Sequence, residues 1–168
     1  MHGSPKQRLI ADGQTHADAL ARAIEFFEYA SSSAQEFKVT YCIEPLSIDQ
    51  TPIINKISEA IEIVEKIRSP HLKTMLDTSS AGLTESISIP ELIHQFMPTG
   101  HIVHVQLNDP NRRGPGQGEM QFGPILQALK TNNYSGELAI EPFEYLPDGP
   151  TCAAQSIGYL NGLIENME

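Results

Sequence analysis

Four short apolar runs alternate with amphipathic helical patterns along the 168 residues, and this alternation limits the fold more than any other feature. The runs are Lys38 to Glu44 (KVTYCIE), Leu72 to Asp77 (LKTMLD), His101 to Leu107 (HIVHVQL) and Glu137 to Glu141 (ELAIE), each short and apolar enough for a buried strand. Between them, apolar residues recur at three- and four-residue steps. Leu20, Ala23, Ile24, Phe27 and Ala30 mark a helix from Thr15 to about Ala30, with Ser31-Ser32-Ser33 expected to loosen its end. Ile54, Ile57, Ile61, Val64 and Ile67 mark a second, with Pro52 in its first turn. Further helices are expected over Pro90 to Met97, Phe122 to Leu129 and Cys152 to Ile164, and a flexible loop of small residues over Thr78 to Gly82. Strands alternating with helices in this way predict an α/β fold with four parallel strands flanked by helices.

Chemistry in such folds collects at the carboxyl ends of the strands. Glu44, Asp77, Gln106 and Glu141 fall there, each with an oxygen able to ligate a hard divalent cation. The Gly/Pro-rich loop from Asn108 to Gly118 follows the third run, and Asp109 and Asn111 suit its turns. His2, His16, His71, His94 and His101 read as surface or loop residues.

The segments HGSPKQR (2–8), IEPLS (43–47), LDT (76–78), HVQLNDPNRRGPGQG (104–118) and YSGELAIEPF (134–143), in this order, resemble the sugar isomerase and epimerase group of xylose isomerase-like (β/α)8 TIM barrels. The resemblance implies roughly the C-terminal half of such a barrel. Residues 1–168 would form a single partial domain, with Met1 just after the fourth strand and the first four βα units absent, either as a fragment or as a shortened product. It also implies one divalent cation, Mn2+ or Mg2+ with Co2+ as a third option, held by Glu44, Asp77, Gln106 and Glu141. Glu44 and Glu141 would be the acid/base pair that removes and returns a proton beside a carbonyl. Arg112, with Arg113 as its alternative, would contact substrate oxygens.

Three positions depart from the pattern that the resemblance implies. Gln106 stands where the second histidine of His-x-His is usual; an amide oxygen there favours the harder Mg2+ or Mn2+. His104 lies on the same strand face one layer lower, where it would support a ligand or border the substrate. Ser80 and Ser47 replace a substrate-binding histidine and an asparagine, and are expected at the substrate.

Eleven Lys and Arg against 21 Asp and Glu give a formal net charge of −10, with no compensating basic run, so no nucleic acid or anionic membrane partner is expected. No apolar run reaches the roughly 20 residues of a bilayer span and no signal peptide pattern opens the chain, so a cytoplasmic protein is expected. Cys42 and Cys152 lie outside any C-x-x-C spacing and read as buried thiols. The leading expectation is a metal-dependent isomerase or epimerase of a sugar, sugar phosphate or related hydroxy-keto compound, acting through an enediolate. Its rivals are a catalytically inactive half-barrel binding module and an apurinic-site endonuclease, and the charge speaks against the latter. The outermost runs, 38–44 and 137–141, would leave exposed sheet edges through which a homodimer is expected to form.

Overall fold

The computed structural model describes residues 5–167, so His2 and the start of the 2–8 segment lie outside the described residues. The sheet has four parallel strands: β1 (Tyr41–Ile43), β2 (Leu72–Asp77), β3 (Ile102–Gln106) and β4 (Leu138–Ala139), in the order β1-β2-β3-β4. Strict sequence order matters. An open doubly wound sheet reverses its order at a switch point, whereas an arc of a barrel does not. The helices are α1 (His16–Phe37), α2 (Ile57–Ile67), α3 (Thr78–Thr84), α4 (Ile89–Phe96), α5 (Phe122–Thr131) and α6 (Gly149–Glu165).

The core is laid down in two parts. Leu76, Val105 and Leu107 pack with α4 and α5 through Leu92, Ile93, Phe122 and Ile125. Phe27 of α1, Ile63 and Val64 of α2, and Ile43 and Leu72 of the strands form the second. A fully buried Leu or Phe side chain contributes about 1.5–3 kcal/mol, so these apolar contacts fix the helices against one face of the arc. Residues on the other face are in register across strands: Met75 is level with His104, Asp77 with Gln106, and Gln106 with Ala139. His104 therefore lies one layer below Gln106, as the alternation predicts.

Several local expectations are corrected. The serine run does not end α1, which continues to Phe37 with Ala30, Ser31 and Ala34 buried, while Ser31 and Ser32 donate their hydroxyls to the carbonyl of Glu28 (2.9 and 3.0 Å). Lys38 is its left-handed cap (φ 56°), so β1 starts three residues later than the composition suggests. Pro52 lies in a loop, and α2 starts at Ile57 after Glu59 accepts hydrogen bonds from the main-chain N–H groups of Asn55 and Lys56 (2.7 and 3.4 Å). Thr78 to Gly82 is no loop but the body of α3, capped by the Asp77 side chain. Its small residues fit a tight place: a Cβ on Gly82 would come within 2.9 Å of Met120 Cε. Cys42 is half-buried, whereas Cys152 is buried and donates to Gln117 Oε1 (3.1 Å). No described helix is long and apolar enough to cross a membrane.

Candidate functional site

Asp77 closes β2 and begins α3 with no residue between them, which buries its carboxyl at the sheet's carboxyl end (3% exposed). Oδ1 accepts from the Ser79 N–H (2.8 Å) and from Asn108 Nδ2 (3.3 Å), and Oδ2 accepts from the Ser80 hydroxyl (3.2 Å). Burial pushes this carboxyl above the usual aspartate range, and those hydrogen bonds pull it partly back. Ser80, expected beside a substrate, thus spends its proton on Asp77.

Glu44 follows β1 directly and is held there by the buried Pro45 and Leu46. Burial raises its pKa, the negative charges of Asp77 and Glu141 raise it further, and Arg8 opposes them. The charges of Asp77, at the end of β2, and of Glu141, two residues past β4, therefore both reach Glu44. Gln106, the register partner of Asp77, sits between β2 and β4, and its Oε1 is buried without a hydrogen-bond partner among the described residues. An orphaned amide oxygen level with a buried carboxyl offers oxygen donors of the kind a hard divalent cation takes. Among the described residues no three His, Cys, Asp or Glu side chains are close enough to share one ion, so Glu44, Asp77 and Glu141 do not form a ready-made cage.

Glu141 is exposed, and its N–H donates to Asn108 Oδ1 (2.6 Å). The loop after β3 leans onto the same end. Asp109 is buried and builds the turn foreseen for it: Oδ1 accepts from the Asn111 N–H (3.1 Å) and Oδ2 from the Met120 N–H (2.9 Å). Arg112 takes a left-handed conformation (φ 72°), and its carbonyl accepts from the Phe143 and Glu144 N–H groups (both 2.9 Å). Its guanidinium lies 4.7 Å from the Phe143 ring centroid, two residues past Glu141. Arg113 turns instead to Glu144 (3.7 Å), an exposed pair of little energetic weight.

Ser47 is fully buried and its Oγ accepts from Gln50 Nε2 (2.9 Å), so it supports the loop after β1. His104 is half-buried below Gln106. Sequence reasoning missed Asn108. It is invisible to a search for ligands because its side chain touches the candidate ligands rather than standing among them, although a buried Asn at a strand end is itself a signal of a polar network.

A parallel β/α arc in strict sequence order, with polar side chains gathered where its strands end, defines a barrel-type α/β domain whose loops and strand ends form the site. The chain belongs to the xylose isomerase-like TIM barrel family, whose model matches residues 1–163. It is 34% identical over 123 residues to D-psicose 3-epimerase of Enterocloster bolteae, covering 73% of this chain and 40% of that protein. A 2-oxo-tetronate isomerase of Cupriavidus necator is 25% identical over 154 residues, with 90% of this chain and 56% of that protein covered. Among solved structures, a D-psicose 3-epimerase determined in the presence of D-fructose superposes with a TM-score of 0.71 at 28% identity, over 89% of this chain and 50% of the other. The chain spans about half the length of the relatives it matches.

Proposed function

We propose that residues 1–168 form a partial barrel domain of a divalent-metal-dependent isomerase or epimerase acting on a sugar, sugar phosphate or related hydroxy-keto compound. What supports this reading is the placement of Glu44, Asp77 and Glu141 at or just past the carboxyl ends of their strands, with the charges of Asp77 and Glu141 both felt at Glu44, and the buried, unpartnered Oε1 of Gln106 level with Asp77. The named activities of the relatives, epimerisation of D-psicose and isomerisation of a 2-oxo-tetronate, support it and point to a small polyhydroxy carbonyl substrate.

In this proposal Glu44, Asp77, Gln106 and Glu141 hold one Mn2+ or Mg2+, with Co2+ as the softer alternative. When bound, such a cation draws electron density from the substrate's carbonyl and stabilises negative charge on its oxygen. The protein's own residues do the rest. Glu44 and Glu141, which follow β1 and β4, the two strands separated by β2 and β3, approach a substrate from two sides, so one removes the proton next to the carbonyl and the other returns it. Return to the opposite face of the same carbon inverts it; return to the neighbouring carbon moves the carbonyl. Arg112, braced on Phe143, offers N–H donors to substrate oxygens near Glu141. Ser80 and His104 border the site, Ser80 with its hydroxyl hydrogen engaged by Asp77 and its oxygen left to accept, while the fully buried Ser47 supports the loop that follows Glu44.

The test is deuterium uptake from solvent at the substrate carbon, screened over ketoses and hydroxy-keto acids with Mn2+ or Mg2+ added. Wild type should exchange, and Glu44→Gln and Glu141→Gln should each abolish it. Substantial exchange in either variant would sink the assignment.

The same proposal takes a second copy of the chain as partner. Both edge strands, β1 and β4, lack a neighbour among the described residues. A groove of about 410 Å³ runs beside α1 and is lined by Arg8, Arg22, Phe26 and Phe27. Another, of about 580 Å³, runs beside β4 and is lined by Leu126, Leu138 and Ile164. Light scattering across a concentration series should give a dimer mass; a monomer throughout would count against the pairing.

A further inference from the structure

We propose that Asn108 is a positioning residue that sets Asp77 and Glu141 relative to each other across β3, an inference that rests on the functional reading above. Asn108 is fully buried, two residues past Gln106. Its amide works in both directions at once: Nδ2 donates to Asp77 Oδ1 (3.3 Å), and Oδ1 accepts from the main-chain N–H of Glu141 (2.6 Å). One side chain thus joins the carboxylate at the end of β2 to the backbone that carries the carboxylate at the end of β4, spanning the strand that holds Gln106.

The clasp is itself clamped. Thr78 donates its hydroxyl to the Asn108 carbonyl (2.7 Å) and accepts from the Asn108 N–H (2.9 Å). The Leu107 N–H donates to the Ala139 carbonyl (2.8 Å), extending the β3–β4 ladder to the point where Asn108 takes over. With the main chain fixed on both sides, the amide has little freedom to reorient, and its two ends hold their targets in one arrangement.

Few side chains could replace it. Aspartate is isosteric but has no donor for Asp77 and sets a second anion against it. Alanine keeps both main-chain bonds to Thr78 and the neighbouring Leu107–Ala139 bond but leaves the Glu141 N–H without its acceptor. Both substitutions should therefore disturb the site while sparing the fold. Outer-shell partners of metal ligands typically change affinity or activity about 10- to 100-fold when removed, and that range is expected here.

The experiment compares wild type, Asn108→Asp and Asn108→Ala in three measurements: thermal unfolding of the metal-free protein, Mn2+ binding followed by the disappearance of free Mn2+ signal, and solvent-proton exchange resolved into kcat and KM. The proposal expects folded variants whose Mn2+ affinity and kcat fall about 10- to 100-fold, Asn108→Asp more than Asn108→Ala, with KM little changed. Wild-type affinity and kcat in a folded variant would overturn it. Loss of the fold in both variants would also overturn it, since Asn108 would then be structural. Failure of wild type to bind Mn2+ or exchange protons would refute the underlying functional reading instead.

Discussion

Gly118 packs against Asp109 in the loop after β3, and replacing it with alanine should loosen the loop that carries Arg112. A Cβ at this position would fall inside the carboxylate of Asp109, closer to Cγ, Oδ1 and Oδ2 than the 3.0 Å that real Cβ atoms keep. The backbone of Gly118 is not in a left-handed conformation, so the cost is one of space. Asp109 is 3% exposed and has nowhere to swing while keeping its bonds to the Asn111 and Met120 N–H groups. Losing two hydrogen bonds to a charged acceptor, at about 1.5 kcal/mol each, costs about 3 kcal/mol. With a urea m-value of about 2 kcal/mol/M, the unfolding midpoint of Gly118→Ala should drop by about 1.5 M. Gly158→Ala is the control: it sits in α6 with nothing within 4 Å of the added carbon, and should gain up to about 1 kcal/mol. The decisive measurement is a double-mutant cycle. On an Asp109→Ala background the clash has no partner, and Gly118→Ala should add little. An unchanged midpoint for Gly118→Ala, or an equal loss on both backgrounds, would refute the steric account.

Two further outcomes follow from the site and the helix ends. Glu44 binds its proton more tightly in the fold than in the unfolded chain, where the usual value is 4.5, so its contribution to metal-free stability is complete below about pH 4.5 and is lost as pH rises through the raised value. Glu44→Gln should flatten that decline, seen as a wild-type minus variant difference in urea midpoint between pH 4 and about 8; a difference independent of pH would show that the carboxyl is not strained. Ser88 and Glu91 form a capping box at the start of α4, so Ser88→Ala should cost about 1 kcal/mol and lower Tm by about 2–4 °C, and an unchanged Tm would show the cap to be idle.

What could be read in the sequence was what a strand or a helix imposes along its whole length. β2 ends at Asp77 as the apolar run LKTML ends, because burial on both faces leaves the pattern no ambiguity. β1 shrank because Lys38 and Val39 satisfy the open carbonyls at the end of α1: both N–H groups donate into its last turn, which periodicity does not reveal. The start of α2 was misplaced because Ile53 and Ile54 are buried in a loop, and burial looks the same whether the backbone is helical or not. At the site, the strand ends were legible since they close apolar runs. The roles of Ser80 and Ser47 were not, because each hydroxyl is taken up by a neighbour three residues away, Asp77 and Gln50, in a local turn whose geometry the pattern does not show; that of Asn108 was not, because only the folded chain brings it to Glu141.

Asp77 ends a strand, begins a helix and faces the other carboxyls with a single side chain, because β2 and α3 meet without a linking residue. Under the proposed function, selection for folding and selection for chemistry press on the same position. A descendant that had lost its activity would still be held to an acid or a close substitute at residue 77 to start α3, so the persistence of that residue is poor testimony to turnover. Gln106 is the better witness. Its Oε1 has no structural duty among the described residues, and a lineage drifting away from chemistry would be free to change it first.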